Sequence, residues 1–167
     1  MKLLIIRHGK AEDPKAFAKT GQSDATRPLT KAGRKQVKQA AKGLKKLIDK
    51  LDLVAASPLL RAGETAEIIA EVFDAGKVVA LRELAPKKDT GALLRAIKAR
   101  KKDGIIALVG HEPDLGAFTG WLLTGLHESF IPFGKASAAL IDFQDDPATG
   151  HGKLQWLLKA RQLKKLR

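Results

Sequence analysis

Two arginines and two histidines stand at, or just beyond, the ends of apolar runs: Arg7-His8-Gly9 after residues 3–6, Arg61 past Ser57-Pro58 after residues 51–57, and Gly110-His111-Glu112 after residues 104–109. Alone, an Arg-His-Gly triplet also fits a loop histidine with a satisfied hydrogen bond. The balance shifts when three such clusters fall at matching ends of neighbouring strands. Two guanidiniums and two imidazoles gathered in one pocket repel one another unless an anion sits between them, and the planar guanidinium fork suits phosphate oxygens in bidentate fashion. Helix N-termini following Pro58 and His111 would add backbone N–H donors and the positive end of the helix dipole. The same positive field is expected to push His8 below the ordinary histidine pKa of about 6.5, leaving a neutral ring at pH 7. A neutral imidazole nitrogen can attack phosphorus, so these residue types suit nucleophilic phosphoryl transfer.

The elements that must position them can be read from periodicity. Residues 3–6 form an uninterrupted apolar run, as in a strand buried on both faces of a parallel sheet. A polar stretch over residues 9–28 reads as loop with a short helical turn near residues 15–19. Thr30 can cap a helix reaching about residue 50, with Val37, Ala40, Ala41, Leu44, Leu47 and Ile48 inward and lysines outward. A strand over 51–57 gives way after Pro58 to a helix reaching Phe73, with Ala62, Ala66, Ile69 and Phe73 on one face. Residues 77–81 predict a short strand, 91–102 a helix and 104–109 a strand. A helix over 112–126 follows, with Phe118, Trp121, Leu122 and Leu126 inward and with Gly116 and Gly120 allowing close packing on a sheet. Strands over 137–143 and 153–158 flank a turn and read as a hairpin or edge addition, before a basic tail over 164–167. This order predicts an α/β fold, a three-layer α/β/α sandwich around a mostly parallel sheet. Such sheets bind ligands beyond the carboxyl ends of their strands, where the three polar clusters would converge.

Composition narrows the classes. A chain of 167 residues, 44 % hydrophobic and 29 % charged, suits one domain over residues 1–167 that buries a core, and argues against disorder. The absence of cysteine excludes disulfides, thiolate metal sites and thiol nucleophiles. The N-terminal apolar run is too short for a signal peptide or membrane span, so a cytoplasmic, membrane-free protein is expected. The formal charge of +13 is compatible with nucleic acid, acidic protein or phosphorylated ligands, and equally with a merely solvated basic surface. Aromatics at 5 %, with no tyrosine and no basic–aromatic interleaving, argue against single-strand nucleic-acid binding. His127 and His151 lack partners at metal-ligand spacing, His111-Glu112 has no histidine four residues on, and Gly134-Lys135 lacks the earlier glycine of a nucleotide loop.

Four segments together resemble the histidine phosphatase superfamily: residues 4–11 around Arg7-His8-Gly9, Arg27-Pro28-Leu29-Thr30 with Gly33, Ser57-Pro58-Leu59-Leu60-Arg61-Ala62 with Thr65-Ala66, and Gly110-His111-Glu112-Pro113. Within it the chain is similar to the small, SixA-type phosphohistidine phosphatase branch. The resemblance implies a phosphoglycerate mutase-like fold, no metal and no other cofactor. It makes His8 the nucleophile that carries a phosphoryl intermediate, with Arg7, Arg61 and His111 holding the phosphoryl oxygens together with His8. It also places Glu83 where larger relatives carry a proton-donating carboxylate; a solvated or ion-paired Glu83 is the alternative. Gly9 would permit a sharp exit from the first strand. Arg27 would help admit the phosphate or merely lie near the mouth, Asp13 and Glu112 would lie close to the motifs without an assigned role, Ser57 would cap the following helix or else hydrogen-bond in the site, and Arg34 and Thr65 would hold structural positions. The short loops of this chain suggest an open site, hence a phosphohistidine-bearing phosphorelay or phosphotransfer protein as partner. Small phosphate monoesters, phosphoserine proteins, or an inactive polyanion-binding module are the alternatives.

Overall fold

The computed structural model describes residues 1–100 and 103–167. In chain order these form β1 (Lys2–Arg7), α1 (Pro14–Ala18), α2 (Lys31–Leu44), β2 (Leu53–Ala56), α3 (Leu60–Phe73), β3 (Val79–Ala80), α4 (Thr90–Lys98), β4 (Ile105–Gly110), α5 (Asp114–Thr124), β5 (Ala138–Asp142), β6 (Lys153–Leu158) and α6 (Ala160–Leu166). One six-stranded sheet runs in the order β3-β2-β4-β1-β5-β6. Four strands are parallel, and β5 and β6 extend the sheet antiparallel beside β1. The α/β sandwich and the late hairpin expected from the sequence are therefore both present.

The apolar run of β1 explains the layers. Leu3 and Ile5 enter a core with Leu93, Ile97, Phe118 and Leu122 of α4 and α5, while Leu4 and Ile6 enter the opposite core with Val37, Leu44, Ile69 and Leu163 of α2, α3 and α6. All four strand residues are at most 2 % exposed. A strand needed by both cores cannot alternate apolar with polar residues.

Several boundaries differ from expectation. The helix expected to reach residue 50 ends at Leu44, because the amides of Lys46 and Leu47 bond three residues back rather than four, to Gly43 and Leu44. Ile48 still buries from the turn, but Leu47 does not. The strand expected over 77–81 is only Val79–Ala80, and α4 stops at Lys98; the expected extension over 101–102 lies outside the described residues. Leu126 falls beyond α5 and is exposed rather than inward. Gly116 and Gly120 do allow a close approach, but to the segment 128–131, not to the sheet. The basic tail is part of α6, whose Leu163 is fully buried and whose backbone presses on Gly43 of α2.

Candidate active site

Strand register brings the polar clusters together. Arg7 of β1 pairs with Gly110 of β4, and Ala56 of β2 pairs with Val109, so the residues that follow leave the sheet side by side. Two further backbone bonds carry the pairing past the strand ends: His8 N–H donates to Gly110 O at 3.1 Å, and Ser57 N–H to Val109 O at 2.9 Å. The rings of His8 and His111 lie 5.1 Å apart. His8, Arg61 and His111 are buried at 7 %, 5 % and 4 % exposure.

The tautomer of His8 follows from its contact. Nδ1 lies 2.7 Å from the carbonyl of Gly9, which can only accept, so Nδ1 carries the proton and Nε2 carries the lone pair. Burial lowers the pKa of His8 to about 4, with Arg61, Arg7 and Lys135 adding to the shift and the Gly9 bond opposing it. His111 is lowered to about 3, again first by burial and then by His8 and Arg61. The direction agrees with the sequence reading, but desolvation outweighs the positive field as its cause. Gly9 has no positive φ, and its missing side chain makes room for Val37 of α2.

The arginines are held in fixed orientations. Arg7 Nη1 donates to the carbonyl of Phe133 at 2.7 Å, and Glu112 Oε1 accepts from the amide of the same residue at 3.0 Å. Glu112, whose carboxyl is raised by burial, thus fastens the segment that orients Arg7. Arg61 Nη1 donates to Asp24 O at 2.9 Å, and its Nη2 lies 3.1 Å from the Asp24 carboxylate. Arg27 meets the same carboxylate at 2.6 Å and donates to Glu12 O. Asp24 was not legible in the sequence, because it sits in a polar loop with no periodicity; the charge excess around Arg61 and Arg27 is the one signal that demanded a carboxylate. Exposed Lys135 adds a cation within electrostatic reach of His8 and Arg7.

Ser57, which the sequence leaves open between a cap and a bond in the site, and Thr65, expected to be structural, both touch the site. Ser57 does not supply the side-chain cap of α3; its Oγ lies 2.8 Å from His111 Nε2. Thr65 Oγ1 accepts from Gly9 N–H at 3.1 Å and donates to Arg61 O at 2.7 Å. Arg34 pairs with Glu64, which also accepts from Leu29 N–H, and Asp13 caps α1. Glu83 is half-buried in a small cleft shared with His111 and Asp114, and has no ion-pair partner among the described residues. His127 is exposed and stacks on Trp121 at 4.8 Å.

Three nitrogens around this mouth are buried without a hydrogen-bond partner: Arg7 Nε, Arg61 Nε and His111 Nδ1. Buried polar nitrogens are seldom left so, and their gathering here suits an anionic ligand. Among the described residues no group of His, Asp and Glu could hold a metal ion, and no helix is long and apolar enough to cross a membrane.

Comparison with known proteins identifies the family. Residues 3–103 match the family model of the histidine phosphatase superfamily, branch 1. Phosphohistidine phosphatase SixA of Escherichia coli (strain K12) is 28 % identical over 167 aligned residues, covering 98 % of this chain and 97 % of that one. An uncharacterised protein of Picosynechococcus is 37 % identical over 118 residues, covering 70 % of this chain and 69 % of the relative. A solved structure of the protein histidine phosphatase SixA with tungstate superposes with a TM-score of 0.81 at 28 % identity, covering 98 % of this chain and 99 % of that one. The chain belongs to the histidine phosphatase superfamily, branch 1, is of the SixA type, and is a phosphate-releasing hydrolase.

Proposed function

We propose that the chain is a cytoplasmic phosphatase that removes the phosphoryl group from phosphohistidine on a phosphorelay or phosphotransfer protein, with His8 as nucleophile. The observation that carries the reading is the neutral His8 ring, with Nδ1–H given to Gly9 O, beside the unpartnered nitrogens of Arg7, Arg61 and His111. His8 Nε2 attacks phosphorus as the bond to the substrate imidazole breaks, and the departing imidazole leaves as the neutral ring, taking its proton from solvent. Water then attacks the phosphorylated His8, inorganic phosphate departs, and the neutral ring returns. Arg7 and Arg61 carry the charge of the phosphoryl oxygens, and His111 Nδ1 contributes when it holds the ring proton. The amides at the start of α3, which has no side-chain cap, add donors. The Escherichia coli relative, named for phosphohistidine, supplies the substrate class.

The test compares hydrolysis of a phosphohistidine carrier by wild type and His8→Ala, with a rapid quench for acid-labile phosphate on His8. Equal rates for the two proteins would remove the mechanism. A second reading, hydrolysis of small phosphate monoesters, draws on Glu83 lying in the cleft beside His111, where a carboxyl could protonate a poor leaving oxygen. Glu83→Gln should then depress monoester hydrolysis far more than phosphohistidine hydrolysis.

A further inference from the structure

A basic groove lies outside the candidate active site. A cleft of about 790 Å³ between α2, α3 and α6 is lined by Lys42, Lys45, Lys46, Lys164 and Arg167 with Val72 at its floor. Through Lys42 and Arg167 it continues into a cleft of about 430 Å³ with Arg34, Lys35, Lys38 and Ile68. Among the described residues, Glu71 is the only carboxylate that lines either part. Arg34 is neutralised by Glu64 and Lys38 by Glu71, but Lys35, Lys42, Lys46 and Lys164 have no ion-pair partner among the described residues. The groove is rigidly walled: Lys45 Nζ donates to Val72 O at 2.7 Å, and Gly43 of α2 lies against the backbone of Leu163.

This strip joins the mouth. The first turn of α2 abuts the catalytic loop, where Thr30 N–H donates to Lys10 O and Gly33 leaves room for the same carbonyl. From there the exposed cations recur every three or four residues along the helix, over about 21 Å at 1.5 Å per residue. That length suits a protein contact and exceeds what a single small anion needs. A nucleic acid strand fits less well, because among the described residues no aromatic side chain lines the groove to stack on bases. The compact, rotatable lysine ammoniums that predominate meet carboxylates in many geometries.

We infer that the α2–α6 groove is a docking surface for an acidic face of the phosphorylated protein substrate, which seats there while its phosphoryl group enters the mouth. The inference rests on the phosphohistidine reading of the active site and adds a partner of stated charge to it. Its worth lies in encounter rate and selection among partners rather than in the chemical step.

The test uses two synthetic peptides, each carrying one phosphohistidine joined to an amphipathic helix long enough to cover α2, one helix rich in glutamate and the other with glutamine in its place. N-phosphoimidazole serves as the small substrate. Wild type should hydrolyse the acidic peptide with about tenfold higher kcat/KM than the glutamine peptide, and the advantage should vanish near about 0.3 M salt. The triple variant Lys42→Glu, Lys46→Glu, Lys164→Glu, and its milder counterpart with glutamine at all three positions, should lose the preference while hydrolysing N-phosphoimidazole within about twofold of wild type. Equal rates on the two peptides with wild type, or an unchanged preference in both variants, would overturn the docking surface. If wild type hydrolyses no phosphohistidine compound, the parent reading fails; the groove is then judged by fluorescence anisotropy of the unphosphorylated peptides, where equal binding rejects it. Displacement of the acidic peptide by an oligouridylate that binds more tightly would reassign the groove to nucleic acid and overturn the inference.

Discussion

Two cationic regions sit on this molecule and behave as opposites. At the mouth, Arg61 is buried and tied to the backbone and carboxylate of Asp24, and Arg7 is tied to Phe133. Along α2, lysines of the same formal charge stand in solvent, and Lys35 and Lys42 form no ion pair among the described residues. The difference teaches that charge acquires chemistry only when its direction is fixed and its water removed. In the mouth, the cost of orienting and desolvating the groups is met during folding, so under the proposed function the phosphoryl oxygens would meet donors already in place. On the strip, ions and water compete, and the field is useful at long range but weak in contact.

The largest effect should come from His8→Ala, which removes the nitrogen we propose as nucleophile: phosphatase turnover should fall about ten-thousandfold or more, while neutralising strip lysines leaves turnover of a small substrate unchanged. Next in size is Arg61→Lys, which keeps the charge and loses the planar fork. A fall in kcat of about a hundredfold or more is expected, and a fall of less than about threefold would show that charge alone suffices at the mouth.

The pH dependence separates the regions further. His8 at about 4 and His111 at about 3 lie below their unfolded value of 6.5, so between those limits the unfolded chain binds more protons than the folded one. Their stabilising effect is complete above pH 6.5 and is lost as pH falls toward 4. Urea unfolding at pH 5 should therefore show roughly 4 kcal/mol less stability than at pH 7, and His8→Asn should remove about half of the difference, His111 retaining the rest. Activity limited by neutral His8 should hold through pH 6 and fall only toward pH 4. The smallest effect belongs to the strip: Lys35→Gln or Lys46→Gln should move stability by no more than about 0.5 kcal/mol in thermal or urea unfolding.

Much of the site was legible because parallel sheets place strand-end residues together, and Arg7, His8, Arg61 and His111 all stand at or just past strand ends. Asp24 was not, since its loop has no repeating pattern and its importance lies in a partner 37 positions away. Ser57 before a proline and a helix carried the marks of a cap, and only the register of β2 against β4 turns its hydroxyl to His111. The end of α2 was missed because no glycine or proline follows Leu44 to stop the apolar repeat; bonds three residues back do so instead. In α6 the repeated basic residues concealed the role of Leu163, which fastens the segment to the core.

Thr65 has a broader consequence. One hydroxyl grips the amide of Gly9 and the carbonyl of Arg61, so the segment bearing the His8 ring and the helix bearing the Arg61 guanidinium share a single fastening. A jolt to either is felt by both, and their separation is protected against the small drifts that ordinary sequence change introduces. Valine at this position would keep the volume yet leave the two parts free to wander apart.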